Sequence, residues 1–221
     1  MKLPRETPVM ILPHVTLFPQ AMLPLYIFEP RYRRMLADAL DTNRMFAVAM
    51  QKPGSSRETP SPVAGIGLVR VAVRHRDGTS HLILQGAARM ELGQAVRYKP
   101  YRVHRVNVMA AKPCDNVAVD ALLAKVRELI VERIQLKIPF PFPVLASSPD
   151  ESSQAPEISP KDMLNYLDAI KDPEQAADMV SCATLPGGLE RQAILEAADV
   201  ETRLRRLVGY LIAEMRRRKS T

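Results

Sequence analysis

Four prolines in one apolar stretch restrict the fold of this chain more than any other feature. Pro13, Pro19, Pro24 and Pro30 divide a segment whose other residues are nearly all apolar. Proline has no backbone N–H and disfavours helix at the preceding residue, so this segment cannot be one helix or a central strand throughout. We therefore expect short extended pieces joined by turns, followed by a helix that begins at Pro30.

The 221-residue chain has the composition of a globular protein, with 47% hydrophobic and 25% charged residues. This composition excludes wholesale disorder, and the length suits one large domain or two small ones. No window reaches the roughly 18 apolar residues of a membrane span, and no signal-peptide run precedes the first prolines. We expect a cytoplasmic protein with no membrane partner, in which Cys114 and Cys182 are thiols.

Hydrophobic periodicity divides the chain into an extended first half and a helical second half. The first half contains one helix, from Pro30 to about Thr42, and a hairpin turn at Asp77–Gly78. Short apolar runs and alternation predict its strands at 9–12, 46–50, 65–74, 81–85 and 103–108. From about residue 116, helical spacing dominates, with helix starts at Pro160 and Pro173 and a last apolar stripe over 204–215. We therefore place a β lobe at 1–112 and a helical lobe at 113–221.

Motifs for catalysis, cofactors or metals are missing from the sequence. The four histidines have no metal-ligand spacing, and Gly65–Gly67 lacks the third glycine of a dinucleotide fingerprint. His75 and His81 face each other across the predicted hairpin, where two solvent-exposed histidines are favoured over a metal pair. Neither a P-loop nor a GxSxG motif is present, so we expect no catalytic residue, no cofactor, no metal and no enzymatic activity.

The net charge of +7 is unevenly distributed. Residues 1–110 carry 16 Lys/Arg against 7 Asp/Glu, whereas residues 111–221 carry 15 against 17. A basic first half favours a polyanionic partner, and the basic end at Arg216–Lys219 suits either a solvated helix terminus or a docking contact. Beside Pro30, Glu29 and Arg31 are interpreted as an ion pair at the helix entry.

The ordered motifs of the chain resemble a known family. The segment 12–35 (LPHVTLFPQAMLPLYIFEPRYRRM) resembles the opening of the LON domain, the N-terminal substrate-binding domain of Lon proteases. Further segments follow in the order of that family: Gly65–Gly67, Asp77–Gly78, Leu84–Arg89, Pro100–Tyr101, Asp172–Met179, Gln192–Glu196, Asp199–Val200 and Arg203–Leu204. The resemblance covers roughly residues 8–215.

The resemblance implies an α+β fold, in which a PUA-like β-barrel lobe with one helix precedes an all-α helical bundle. It also implies recognition of unfolded or exposed protein segments without ATPase or protease chemistry, in a stand-alone LON domain protein. The family supplies no catalytic residue to carry over. Within its first motif, Glu29, Pro30, Arg31 and Tyr32 are interpreted as structural.

The apolar residues of the opening segment are the candidate contacts with a protein partner, because exposed apolar patches mark such sites. Packing in the core is the competing interpretation for each of them. The candidate contacts are Phe18, Met22, Leu23, Leu25, Tyr26 and Phe28. Two other functions stay open: RNA binding by a PUA-like protein, and an adaptor that docks on a protease or chaperone complex. The sequence lacks the interleaved aromatic residues that single-strand binders use for stacking.

Overall fold

The computed structural model describes residues 3–55, 57–110, 116–141 and 160–219. The chain divides into two compact units, Met1–Ala110 and Ala111–Thr221. A six-stranded sheet and one helix form the first unit, and helices form the described part of the second, so the protein is α+β. Among the described residues, no helix has the length and apolar character needed to cross a membrane.

The first unit is built on one mixed sheet. Its elements are β1 (Glu6–Leu12), β2 (Met22–Ile27), α1 (Pro30–Leu40), β3 (Met45–Met50), β4 (Val63–Arg74), β5 (Ser80–Arg97) and β6 (Arg102–Val108). The strand order is β2-β5-β4-β3-β1-β6, and β5 also pairs with β6. Successive pairing of β5, β4, β3, β1 and β6 therefore leads back to β5. Among the described strands, β2 pairs with β5 alone.

Each strand predicted from the sequence is present, but β5 is much longer than expected. Alternation predicted a return strand over 81–85, whereas β5 runs from Ser80 to Arg97. Its first half pairs with β2 and β4, and its second half pairs with β6. Near Arg70, the pairing of β4 with β5 has a register shift between Val69 and Val71. Such a shift increases the local twist and bends the strand, as sheet closure requires.

Two glycines let the loop after β1 cross the sheet closely. A Cβ atom on Gly65 would lie 1.9 Å from the carbonyl oxygen of Leu17, and one on Gly86 would lie 1.9 Å from that of Phe18. Gly65 pairs within β4 and Gly86 within β5, so a side chain at either position would displace this loop from the sheet. Gly65, which belongs to the segment compared with a nucleotide-binding motif, therefore serves close packing within a strand.

Helix α1 covers one face of the sheet with apolar residues at helical spacing. Tyr32, Met35, Leu36 and Ala39 are buried, and they join an apolar cluster with residues of β1, β3, β4 and β5. A second cluster, which includes Ile11, Ala47, Ile66 and Met90, fills the opposite side of the strands. Alternation along each strand supplies both clusters, because successive side chains point to opposite faces.

The described part of the second unit consists of five helices. They are α2 (Asn116–Gln135), α3 (Pro160–Ala169), α4 (Pro173–Thr184), α5 (Gly188–Glu196) and α6 (Val200–Lys219). Asp172 caps α4, whose predicted start at Pro173 is confirmed, since its side chain accepts a hydrogen bond from the backbone N–H of Glu174 at 3.0 Å. Two buried arginines tie helices together: Arg133 of α2 pairs with Glu214 of α6, and Arg203 of α6 pairs with Asp178 of α4.

One predicted thiol lies in the described part of the chain and the other does not. Cys182 in α4 is a free cysteine, and burial raises the pKa of its thiol. A raised pKa keeps the sulfur protonated and unreactive at neutral pH. Cys114 lies outside the described residues.

Candidate functional site

Three strands of the first unit expose a continuous apolar surface. Tyr26 of β2, His81 of β5 and Val73 of β4 are direct neighbours across the sheet. The next row on the same face contains Pro24, Ile83 and Val71, because side chains alternate along each strand. We call this surface the aromatic face, and we define it by Met22, Tyr26, Phe28, Val71, Val73, His75 and His81.

Stacked rings run along the aromatic face. Tyr26 stacks on His81 with ring centroids 4.7 Å apart and on Phe28 with centroids 5.8 Å apart. His75 meets His81 edge to face at a centroid distance of 4.9 Å. Tyr26 and Phe28 are nevertheless 49% and 59% exposed, and Val71 and Val73 beside them are also exposed. Large apolar groups held open to water in this way are typical of a binding surface.

The opening segment contributes only part of its apolar residues to this face. Met22, Tyr26 and Phe28 are exposed, whereas Leu23 and Leu25 point to the other side of β2 and pack against the core cluster under α1. Phe18 is 1% exposed, so the expectation that it contacts a partner is wrong for this structure. Its carbonyl group packs closely against Gly86, and its side chain lies in the protein interior.

The entry to α1 is held by arginine–carboxylate pairs next to Phe28. Arg31 donates to Glu29 from Nε at 2.9 Å, and its two terminal nitrogens both donate to Glu58. Hydrogen bonding to Glu58 raises the pKa of Arg31, and the same bonds lower the pKa of Glu58. The predicted ion pair of Glu29 with Arg31 is confirmed, and Glu58 is a partner that the sequence did not indicate.

Tyr32 and Pro30 complete this structural motif. Pro30 is the first residue of α1, and Glu29 in the N-cap position makes no side-chain capping bond. Tyr32 is buried, and its hydroxyl bonds to both the N–H and the C=O of Ile11 at 3.1 and 3.2 Å. The motif therefore fixes the position of α1 on the sheet. It also sets the direction of the chain at Phe28, directly after β2.

The histidines of the aromatic face pair with each other. His75 Nε2 and His81 Nδ1 are 2.7 Å apart across the hairpin, as the turn at Asp77–Gly78 predicted. Among the described residues, no group of three or more His, Cys, Asp or Glu side chains could hold a metal ion. The two rings extend the stack formed by Tyr26.

Sequence reasoning missed the contribution of β4 and β5 to this face. Val71 and Val73 alternate with Arg70, Ala72 and Arg74, which marks a strand with one apolar face. The pattern could not show that this apolar face would be the exposed one. That outcome depends on the register shift after Val69 and on the coverage of the opposite face by α1.

Comparison with known proteins identifies the family of this chain. The family described as "ATP-dependent protease La (LON) substrate-binding domain" matches residues 6–213, so the chain belongs to that family. The chain is 26% identical to a Lon protease of Dictyoglomus thermophilum over 216 residues, which are 96% of this chain and 25% of that protein. It is also 26% identical to Lon protease 2 of Bdellovibrio bacteriovorus, over 97% of this chain and 25% of the relative. The chain spans about a quarter of the length of the relatives it matches.

Solved structures share the fold. The N-terminal domain of the Mycobacterium avium complex Lon protease superposes with a TM-score of 0.70 at 15% identity, over 93% of this chain and 97% of that one. The Lon N-terminal domain protein from Xanthomonas campestris superposes with a TM-score of 0.57 at 19% identity, over 93% and 98% of the two chains. These matches confirm the resemblance derived from the ordered motifs.

Proposed function

We propose that this chain is a non-catalytic protein-binding module that recognises unfolded or exposed protein segments through the aromatic face. The observation that carries the proposal is an apolar, ring-lined surface held open on three strands of a LON substrate-binding domain. Burial of such surface provides affinity with little sequence selectivity. The residues of the opening segment assigned to this surface are Met22, Tyr26 and Phe28.

The mode of binding that we infer is contact with the face of the sheet rather than addition of a strand. β2 pairs with β5 alone among the described strands, so it lies at an edge. Pro24 in the middle of β2 removes one backbone donor, which is a common protection against strand addition. Leu23 and Leu25 then support the face from behind, since they pack against the core.

Three finer parts of the proposal follow from the family. We infer that the ring of strands β5-β4-β3-β1-β6 is the PUA-like barrel of the LON domain and that the helices of the second unit form its bundle. We infer that the chain neither hydrolyses ATP nor cleaves peptides, because the matched region is a substrate-binding domain. Finally, we infer that the protein works in the cytoplasm, where unfolded polypeptides would be its partners.

The proposal is tested by titrating the purified chain against a fluorescent, carboxymethylated protein that cannot refold, and against the same protein in its native form. We expect binding of the unfolded form only. The double variant Tyr26→Ser/Phe28→Ser should bind at least about tenfold more weakly, since exposed aromatic anchors commonly carry more than about 1 kcal/mol each.

Tyr98→Ser is the matched control, because Tyr98 is an exposed aromatic residue of the same unit outside the aromatic face. Its affinity should equal that of the parent chain. Equal binding of native and unfolded protein, or equal losses for Tyr98→Ser and the double variant, would refute the assignment of the face. Tight binding of bulk RNA with a steep dependence on salt would favour the RNA-binding alternative instead.

A further inference from the structure

A second surface of the first unit combines an apolar floor with positive charge. A groove of about 530 Å³ lies between α1 and the hairpin formed by β4 and β5. Its apolar floor consists of Leu36, Ala37, Leu40 and Ala72. Ala72 and Arg74 alternate along β4 with Val71 and Val73 of the aromatic face, so the groove and that face lie on opposite sides of one hairpin.

The charge in this groove has a single sign. Arg33 and Arg34 of α1 and Arg74 of β4 line it, and none of its described lining residues is acidic. Arg34 is engaged by Asp38, whose Oδ1 lies 2.9 Å from its Nε. The remaining positive charge of the groove is therefore concentrated on Arg33 and Arg74.

The position of Arg33 is set by the hairpin turn. A Cβ atom on Gly78 would lie 1.8 Å from Nη2 of Arg33, so the guanidinium rests directly on this glycine, whose φ is +81°. The neighbouring carboxylate of Asp77 is held by Thr79, which donates from its backbone N–H at 2.9 Å and from its hydroxyl at 2.7 Å. Asp77 is thus hydrogen-bonded within the turn, from which its carboxylate also attracts Arg33, and Arg33 stays at the rim of the groove.

We propose that this groove binds acidic, partly apolar segments of partner proteins, as a site separate from the aromatic face. The arginines would pair with carboxylates of the bound segment, for which the planar guanidinium is well suited. Leu36, Leu40 and the two alanines would bury one or two of its apolar side chains. None of the described lining residues is aromatic, so the groove lacks the stacking platform that single-stranded nucleic acids require.

The test is a fluorescence anisotropy titration of the whole chain with a short labelled peptide in which glutamates flank two leucines. We expect saturable binding that weakens when NaCl rises from about 0.05 M to about 0.3 M, because exposed ion pairs are screened. A peptide with lysines in place of the glutamates, and one with serines in place of the leucines, should both bind much more weakly.

Variants of the groove residues test whether the labelled peptide binds in this groove. Arg33→Gln/Arg74→Gln should weaken it about five- to tenfold, the loss expected for two exposed charge pairs. Arg70→Gln is the matched control, since Arg70 is exposed on the same strand and is absent from the groove lining. Ala37→Glu tests the groove without removing an arginine: Ala37 is exposed on α1, and a carboxylate there should repel the acidic peptide.

Each result of this experiment is decisive. The proposal is overturned if the lysine peptide binds as well as the glutamate peptide, if Arg70→Gln costs as much as the double variant, or if Ala37→Glu binds normally. It is also overturned if no peptide binds, or if inorganic polyphosphate or RNA displaces the peptide while the leucines prove unnecessary. Tyr26→Ser/Phe28→Ser should leave this binding intact, which separates its outcome from that of the aromatic face.

Discussion

At the scale of single residues, Arg31 connects two parts of the first unit that are far apart in sequence. Its guanidinium joins Glu29, before α1, to Glu58, in the segment between β3 and β4, and it also lies 4.4 Å from the ring centroid of Tyr32. Because the pairs are partly exposed, their contribution to stability is small. Their main effect is to fix the geometry of the turn that presents Phe28.

The pair of Glu58 with Arg31 makes a contribution to stability that depends on pH. The pKa of Glu58 is lowered below its ordinary value of 4.5, so the unfolded chain binds a proton at this position more readily than the folded chain. The stabilisation is therefore present above about pH 4.5 and is lost as the pH falls below that value. Glu58→Gln should lower the free energy of unfolding at pH 7 by about 0.5 kcal/mol.

Urea denaturation at pH 7 and near pH 3 measures this effect. The difference between Glu58→Gln and the parent chain should shrink as the pH falls from 7 to about 3, because protonation of the carboxyl group removes its charge. Glu91→Gln, at an exposed carboxylate of β5, controls for the change in net charge. A difference that persists undiminished at acid pH would show that Glu58 stabilises the fold by packing rather than by its charge.

At the scale of secondary structure, one hydroxyl completes the hydrogen bonding of a strand. β6 pairs with β1 only over residues 6–9, and the Tyr32 hydroxyl bonds to both polar backbone groups of Ile11 beyond that point. Tyr32→Phe would leave two buried backbone groups without their partner. We expect the free energy of unfolding to fall by about 1–3 kcal/mol.

Tyr101→Phe is the control for this prediction, and urea denaturation is again the measurement. The Tyr101 hydroxyl donates to Asp38 at 2.6 Å, and Asp38 keeps its contact with Arg34 when the hydroxyl is removed. The loss should therefore be smaller than for Tyr32→Phe. Equal losses of unfolding free energy for the two variants would contradict the role of Tyr32 as hydrogen-bond partner of the backbone of β1.

The elements could be predicted from the sequence where the hydrophobic period was uninterrupted. The buried face of α1 follows from helical spacing, and the cap of α4 follows from the capping preference of Asp172 before Pro173. The second half of β5 could not be predicted, because Gly86, Arg89 and Gly93 interrupt the alternation there. Gly86 is needed where Phe18 crosses the sheet, which is a tertiary requirement that no local pattern reveals.

The candidate surface was predictable only in part, for the same physical reason. Alternation along β2 separates Met22 and Tyr26 from Leu23 and Leu25, but it does not say which set faces α1. Phe18 lies outside any regular strand, so no period indicated its burial. Val71, Val73 and His81 joined the face through pairing between strands, which is visible only once the sheet is assembled.

At the scale of the whole molecule, part of the excess positive charge of the first half lies in one groove. Arg33, Arg34 and Arg74 converge on one groove, whereas the aromatic face on the other side of the hairpin is mainly apolar. One unit therefore carries two surfaces of different chemistry on a shared hairpin. Under the two proposals made above, a partner segment would need an apolar part and an acidic part to engage both surfaces.

The first unit should also fold without the second. All six strands, α1 and every residue of the two apolar clusters lie between Leu3 and Val108. The ladder from β5 back to β5 closes within this range, so the hydrogen bonding of the sheet does not depend on the helical unit. A fragment of residues 1–110 should therefore show a β-type circular dichroism spectrum, dispersed amide resonances and one cooperative unfolding transition in urea. A collapsed fragment without dispersed resonances would contradict this expectation, since it would mean that the closed ladder and its two clusters cannot offset the conformational entropy of the chain by themselves.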